Sequence, residues 1–125
     1  MSGTVLLIED NEQNRYLTTF LLERSGYTVV AAIDGPRGIS EASRIRPDIV
    51  LLDIQLPSMD GYSVAAKLRE LVALRDTPII AVTSYAMVGD REKALAAGCT
   101  GYLEKPINPE TFVAEVEEIA KRGRQ

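Results

Sequence analysis

The chain contains no histidine among its 125 residues and only one cysteine, Cys99. Without an imidazole it cannot form a Ser-His or Cys-His catalytic pair, and it cannot offer zinc its commonest nitrogen ligand. A single cysteine excludes an internal disulfide, and we expect a small buried thiol in a protein of a reducing compartment. Acid–base or metal chemistry must therefore depend on carboxylates, lysine, tyrosine or Cys99.

Positive charge and long apolar runs are also scarce. The formal net charge is −4 and no local cluster of basic residues is visible, which argues against a nucleic-acid-binding protein. No stretch approaches the roughly 18 apolar residues of a membrane span, and no basic region precedes the short apolar run at residues 5–8. We therefore expect a cytoplasmic protein that neither binds nucleic acid nor inserts into a membrane.

Five short apolar runs alternate with segments of helical spacing. The runs occupy residues 5–8, 28–32, 48–52, 78–82 and 100–103. Several of them lack polar alternation, as expected for parallel strands that helices cover on both faces. Because the chain has the usual length of one domain, this pattern predicts a single α/β domain over residues 1–125. The expected architecture is a doubly wound five-stranded parallel sheet with right-handed crossovers and five helices.

Helix signals support this division. Asp34 precedes the second helical segment, and Asn108 is a good N-cap followed by proline at the first helical position. The last helix is therefore expected to begin at Pro109 and to end near Lys121. The apolar positions predicted to line helices include Leu17, Phe20 and Leu21, then Val64, Leu68, Leu71 and Val72, then Leu95, and finally Phe112, Val113, Val116, Ile119 and Ala120.

Residues able to do chemistry come directly after four of the predicted strands. Glu9 and Asp10 follow the first strand and Asp53 follows the third. Thr83 follows the fourth strand, and Lys105 comes after the fifth. In an open parallel sheet a ligand site forms outside the carboxyl ends of the strands, where the strand order reverses. We therefore expect these five side chains to share one edge of the sheet.

The three carboxylates are expected to converge. In the strand order 2-1-3-4-5 the first and third strands are neighbours, which brings Glu9, Asp10 and Asp53 into a small volume. Like charges at such range destabilise one another unless a proton or a cation intervenes. An all-oxygen site of this kind suits a hard divalent ion, Mg²⁺ before Zn²⁺.

Lys105 and Thr83 add a cation and a hydroxyl to the same edge. The ammonium group of Lys105 is expected to pair with Asp53 at rest and with a phosphoryl oxygen when one is present. A carboxylate nucleophile, a metal site, a hydroxyl donor and a cation are together the parts needed to place a phosphoryl group on an aspartate.

These motifs carry a family resemblance. The pair Glu9-Asp10, the segment 53–61 (DIQLPSMDG), Thr83 and the dipeptide Lys105-Pro106 resemble the receiver domain of two-component response regulators. The resemblance spans almost the whole chain and implies a flavodoxin-like receiver fold. It is strongest to stand-alone receivers, including a cell-division regulator, and to the receivers of hybrid kinases, which share the opening residues 9–15 (EDNEQNR).

The resemblance assigns a role to each carboxylate. It implies that Asp53 is the phosphoacceptor and that Asp10, Asp53 and the backbone carbonyl of Gln55 coordinate Mg²⁺, with Mn²⁺ as a substitute. Glu9 would act through a metal-bound water. Many members carry aspartate at position 9, so the glutamate is a departure from the family pattern.

The same resemblance implies how phosphorylation is read out. Thr83 and Lys105 would bind the phosphoryl oxygens, and the Lys105–Pro106 bond would be cis. Thr83 would then swing towards the phosphoryl group while Tyr102 turns inward. These movements would reshape the face formed by the fourth helix, the fifth strand and the fifth helix.

The implied function is that of a single-domain response regulator without an output domain. Because the chain lacks histidine, a phosphohistidine donor must belong to another protein, either a sensor histidine kinase or a histidine phosphotransfer protein. A downstream target protein would read the switched face, and the chain would be a monomer or a weak homodimer. It would not be an enzyme beyond catalysing its own aspartyl phosphorylation and dephosphorylation.

Three other functions stay open from the sequence. The first is a binding module of the same fold that works without phosphorylation. The second is an aspartate-nucleophile phosphatase of the haloacid dehalogenase type, although the position of its second aspartate is Gln55 here. The third is a flavodoxin-like cofactor carrier, although the acidic residues 9–12 would repel a phosphate.

Overall fold

Strands and helices alternate along the chain in the computed structural model, which describes residues 3–57, 59–84 and 87–123. The strands are β1 (Gly3–Ile8), β2 (Tyr27–Ala32), β3 (Ile49–Asp53), β4 (Ile79–Thr83) and β5 (Gly101–Glu104). The helices are α1 (Glu12–Arg24), α2 (Gly35–Ile45), α3 (Gly61–Glu70), α4 (Asp90–Ala96) and α5 (Phe112–Gly123), and a single 3₁₀ turn spans Val72–Leu74. All strand pairs are parallel, in the order β2-β1-β3-β4-β5, which confirms the predicted fold class.

The sheet separates two apolar layers. Alternate residues of β1 point to opposite faces, so Leu6 and Ile8 pack with α2, α3 and α4, while Val5 and Leu7 pack with α1 and α5. Both layers exclude water from the central strands, and the residues Ile49–Asp53 are all buried. This coverage is why the strands are nearly continuous apolar runs in the sequence.

Two predicted helix boundaries were wrong. The last helix begins at Phe112 rather than Pro109, because residues 109–111 form a turn. Asn108 still acts as a cap: its side chain accepts a hydrogen bond from Glu110 N, and its carbonyl accepts one from Phe112 N. The third helix ends at Glu70, and the backbone is extended at Leu71. Leu71 and Val72, which were predicted to extend the apolar stripe of this helix, therefore lie outside it.

Three apolar side chains predicted to line helices face solvent instead. Val72 is 77% exposed on the 3₁₀ turn, Phe20 is 49% exposed and Leu95 is 43% exposed. The Arg24 guanidinium lies 5.5 Å from the centre of the Phe20 ring, so this aromatic side chain has a charged neighbour at the surface. Leu22, which the predicted stripe omitted, is fully buried.

A tight loop carries the chain from β3 to α3 beside the candidate site. The Gly61 amide donates a hydrogen bond to the Ile54 carbonyl, and the Asp60 side chain caps α3 by accepting from Tyr62 N. A Cβ at position 61 would lie 2.4 Å from the Cα of Ile54. Since a backbone atom cannot move aside as a flexible side chain can, this close approach requires glycine.

We expect Gly61→Ala to lower the free energy of unfolding by about 2 kcal/mol, because the added methyl group overpacks against backbone. Chemical denaturation measures this change. The matched control is Lys67→Ala, an exposed residue of the same helix, which should shift stability by less than about 0.5 kcal/mol. Equal stabilities for wild type and Gly61→Ala would contradict the close approach.

Candidate functional site

The predicted carboxylates meet at the carboxyl ends of β1 and β3. These strands are neighbours, with Ile8 beside Leu52 in the register, so the residues that follow them share one edge. Glu9, Asp10 and Asp53 each bring one carboxylate oxygen to within 4.8 Å of the others. Glu9 and Asp53 are only 3% and 5% exposed, whereas Asp10 is exposed. Two of the three charges are therefore largely withdrawn from water.

Lys105 reaches this cluster from the end of β5. Its Nζ lies 2.6 Å from Glu9 Oε1 and 3.5 Å from Asp53 Oδ2, and its side chain is almost buried. The Lys105–Pro106 peptide bond is cis, as predicted. The lysine was expected to pair with Asp53, but its shorter contact is with Glu9. Glutamate is one methylene longer than the aspartate common at this position, which extends the reach of its carboxylate.

Burial and crowding change the proton affinity of Glu9. Burial, together with the neighbouring Asp53 carboxylate, raises the pKa of Glu9 from 4.5 to about 7, although Lys105 opposes the change. The charged form of Glu9 is therefore disfavoured near neutral pH unless a further cation joins the cluster. Three hard oxygen donors at this spacing fit a divalent ion such as Mg²⁺.

The Asp53 carboxylate is held between the loop that follows it and Lys105. Its Oδ1 accepts a hydrogen bond of 2.9 Å from Gln55 N, two residues further along the chain. The Gln55 side chain extends to the next loop, where its Oε1 accepts from Ser84 N at 3.3 Å. Thr83, which ends β4 on the same edge, is buried. The sheet thus brings all of the predicted strand-end residues together.

Sequence similarity agrees with this geometry. A profile of the response regulator receiver domain matches residues 5–117. The chain belongs to the receiver domain family of response regulators. The polar-differentiation response regulator DivK of Brucella anthropi is 39% identical to this receiver over 117 residues, covering 94% of this chain and 95% of DivK. The predicted family and role in two-component signalling are therefore confirmed.

Solved structures give the same result. The chemotaxis protein CheY4 of Vibrio cholerae superposes on this receiver with a TM-score of 0.90 at 28% identity, covering 95% of this chain and 99% of CheY4. The receiver domain of the sensor histidine kinase PA1611 of Pseudomonas aeruginosa is 38% identical, with a TM-score of 0.84 and coverage of 99% and 98%. That structure holds a magnesium ion in its active-site cleft.

None of the helices in the described part of this receiver has the length and apolar character of a membrane span. The expectation that residues 1–125 form one domain without an output domain stays a prediction.

Sequence reasoning missed two polar contacts near the site. Arg15 of α1 donates hydrogen bonds to the carbonyls of Glu9 and Asp10, and Tyr62 of α3 lies 3.4 Å from an Asp90 carboxylate oxygen at the start of α4. Arg15 and Tyr62 lie within helices, whereas functional residues were expected directly after strands. Only the presence of Arg15 in the shared segment 9–15 could have drawn attention to it.

Tyr102, the predicted switch residue, lies on β5 with its ring partly buried. Its hydroxyl is buried and has no hydrogen-bond partner among the residues that the structure describes. Burial raises the pKa of Tyr102, and the nearby carboxylates of Asp90 and Glu104 raise it further. In this conformation the hydroxyl has lost water without gaining a partner among the described residues, which costs free energy.

We expect Tyr102→Phe to raise the free energy of unfolding by about 1 kcal/mol, because it removes a buried hydroxyl that has no hydrogen-bond partner in the described part of the chain. Tyr62→Phe is the matched control, since it deletes a hydroxyl that does contact a carboxylate, and it should lower stability or leave it unchanged. Denaturation of both variants checks the difference. A loss of stability in Tyr102→Phe would show that its hydroxyl is satisfied.

Proposed function

We propose that this receiver accepts a phosphoryl group on Asp53 from a phosphohistidine of a sensor histidine kinase or a histidine phosphotransfer protein. The observation that carries the proposal is the placement of the Asp53 carboxylate. It lies beside two further carboxylates suited to a hard cation, and 3.5 Å from the ammonium group of Lys105. That combination provides a nucleophile together with the positive charge that an incoming phosphoryl group needs.

Asp10, Asp53 and the backbone carbonyl of Gln55 would hold Mg²⁺, or Mn²⁺ in its place, and Glu9 would contact the ion through a water. These donors fit such an ion, because each carboxylate of the cluster offers a hard oxygen at short range. The magnesium ion in the related receiver of PA1611 supports this assignment. When bound, the ion would offset the repulsion between the carboxylates and the phosphoryl oxygens.

The transfer replaces one bond to phosphorus with another. A carboxylate oxygen of Asp53 attacks phosphorus, a new O–P bond forms, and the N–P bond of the donor breaks with its electron pair left on the imidazole. Lys105 stabilises negative charge on the transferring oxygens, for which its Nζ must give up part of its contact with Glu9. Thr83 supplies a hydroxyl on the same rim.

The output would be a change in a protein-binding surface. Thr83 would move towards the phosphoryl group and Tyr102 would turn inward, altering the face of α4, β5 and α5 that a downstream target reads. The Tyr102 hydroxyl has no hydrogen-bond partner among residues 3–57, 59–84 and 87–123, which supports a second conformation in which this side chain gains one. The receiver would act in the cytoplasm as a monomer or weak homodimer, catalysing only its own phosphorylation and dephosphorylation.

The competing functions have less support. In a haloacid-dehalogenase-type phosphatase a carboxylic acid would occupy position 55, but the amide of Gln55 accepts from Ser84 N and is not a general acid. A phosphorylation-independent module would be favoured by loss of an acceptor-site residue. Glu9, Asp53 and Lys105 are instead in mutual contact.

Phosphorylation is testable with a small-molecule donor such as acetyl phosphate in the presence of Mg²⁺. Intact-mass measurement should show the addition of one phosphoryl group to wild type, with no addition to Asp53→Asn or after chelation of the metal. Asp76→Asn, which removes an exposed carboxylate elsewhere, is the matched control and should be modified like wild type. An unmodified wild type, or equal modification of Asp53→Asn, would refute the acceptor assignment.

A further inference from the structure

The turn that follows β1 carries two of the three clustered carboxylates, on Glu9 and Asp10. The start of this turn is hydrogen-bonded to the sheet, because Glu9 N donates to the Ala32 carbonyl. Beyond that point the chain leaves the sheet and enters α1, whose first turn is capped by the Asn11 side chain. The positions of both carboxylates therefore depend on what fixes the backbone between the strand and the helix.

Arg15, which lies one turn after the start of α1, fixes this part of the backbone. Its Nη1 donates to the Glu9 carbonyl at 3.1 Å and to the Asp10 carbonyl at 3.2 Å. These are hydrogen bonds from a charged donor, which are stronger than those between neutral groups. One guanidinium group thus ties together the two consecutive carbonyls of the residues that carry the carboxylates.

The choice of carbonyls as acceptors has a chemical consequence. Repulsion between the carboxylates destabilises the turn, and a nearby cation offsets that repulsion. Lys105 supplies positive charge but occupies an oxygen of Glu9 and lies beside Asp53. Among the ion pairs of the described residues, none includes Arg15 or Asp10. Arg15 therefore steadies the turn while leaving the carboxylate oxygens of Asp10 available to a metal.

We propose that Arg15 is a positioning residue for the divalent-cation site: it holds the Glu9–Asp10 turn so that the carboxylates converge before any ion binds. The inference rests on the proposed function, because it assigns Arg15 to the metal site of that function. A positioning role and a purely electrostatic role predict opposite effects of Arg15 on the affinity for a cation. A guanidinium group close to the cluster should weaken cation binding by repulsion, whereas a positioning group should strengthen it.

The test is calorimetric titration of the full chain with Mg²⁺ alone, in wild type, Arg15→Met and Arg15→Lys. Arg15→Met removes the charge and the donor and should bind Mg²⁺ roughly tenfold more weakly, the size of effect typical when a group supporting metal ligands is lost. Arg15→Lys keeps a charged donor and should retain more affinity than the methionine variant. Arg24→Met removes the same charge further along α1 and should bind like wild type.

Amide hydrogen exchange in the metal-free protein gives a second readout. The amides of Asp10 and Asn11 should exchange several-fold faster in Arg15→Met than in wild type, while Arg24→Met leaves them unchanged. Unchanged exchange, or Mg²⁺ affinity in Arg15→Met equal to or tighter than wild type, would overturn the inference. So would equal losses in the lysine and methionine variants. Failure of wild type to bind Mg²⁺ would instead refute the proposed metal site, and exchange would still decide the role of Arg15.

Discussion

The crowding of three carboxylates at one edge of the sheet is the constraint on which the rest of the site depends. Glu9 and Asp53 are buried beside one another, and Asp10 completes the cluster from the solvent side. Withdrawal from water and mutual repulsion both disfavour three negative charges there. The ammonium group of Lys105 offsets part of this cost, but burial and the Asp53 carboxylate still raise the pKa of Glu9.

This incomplete neutralisation connects the fold to the function. Parallel strands covered on both faces bring their carboxyl ends to one edge, and the order β2-β1-β3 places the acidic residues on adjacent strands. Because Lys105 lies closer to Glu9 than to Asp53, the proposed acceptor is not fully engaged in an ion pair. A site short of positive charge attracts a divalent cation and keeps a carboxylate available for a phosphoryl group.

Much of this could be predicted from the sequence. Continuous apolar runs identified strands that are buried on both faces, and residues at strand ends could be assigned to one edge because the sheet is parallel. What strand position does not determine is the reach of a side chain. The shorter contact of Lys105 with Glu9 depends on how far each side chain extends, and the hydrogen bonds from Arg15 to two carbonyls depend on how the chain passes from β1 into α1. The exposure of Phe20 was missed because helical spacing alone does not set the width of the buried face.

Proton release on Mg²⁺ binding tests the central claim most directly. The pKa of Glu9 is raised to about 7 in the metal-free protein, so Glu9 is mostly protonated at pH 6 and mostly ionised at pH 8.5. Binding a cation favours the ionised form and expels that proton. Titration calorimetry in buffers of different ionisation enthalpy should detect release approaching one proton at pH 6, little release at pH 8.5, and little at either pH in Glu9→Gln. Absence of release from wild type at pH 6, or equal release from Glu9→Gln, would contradict the account.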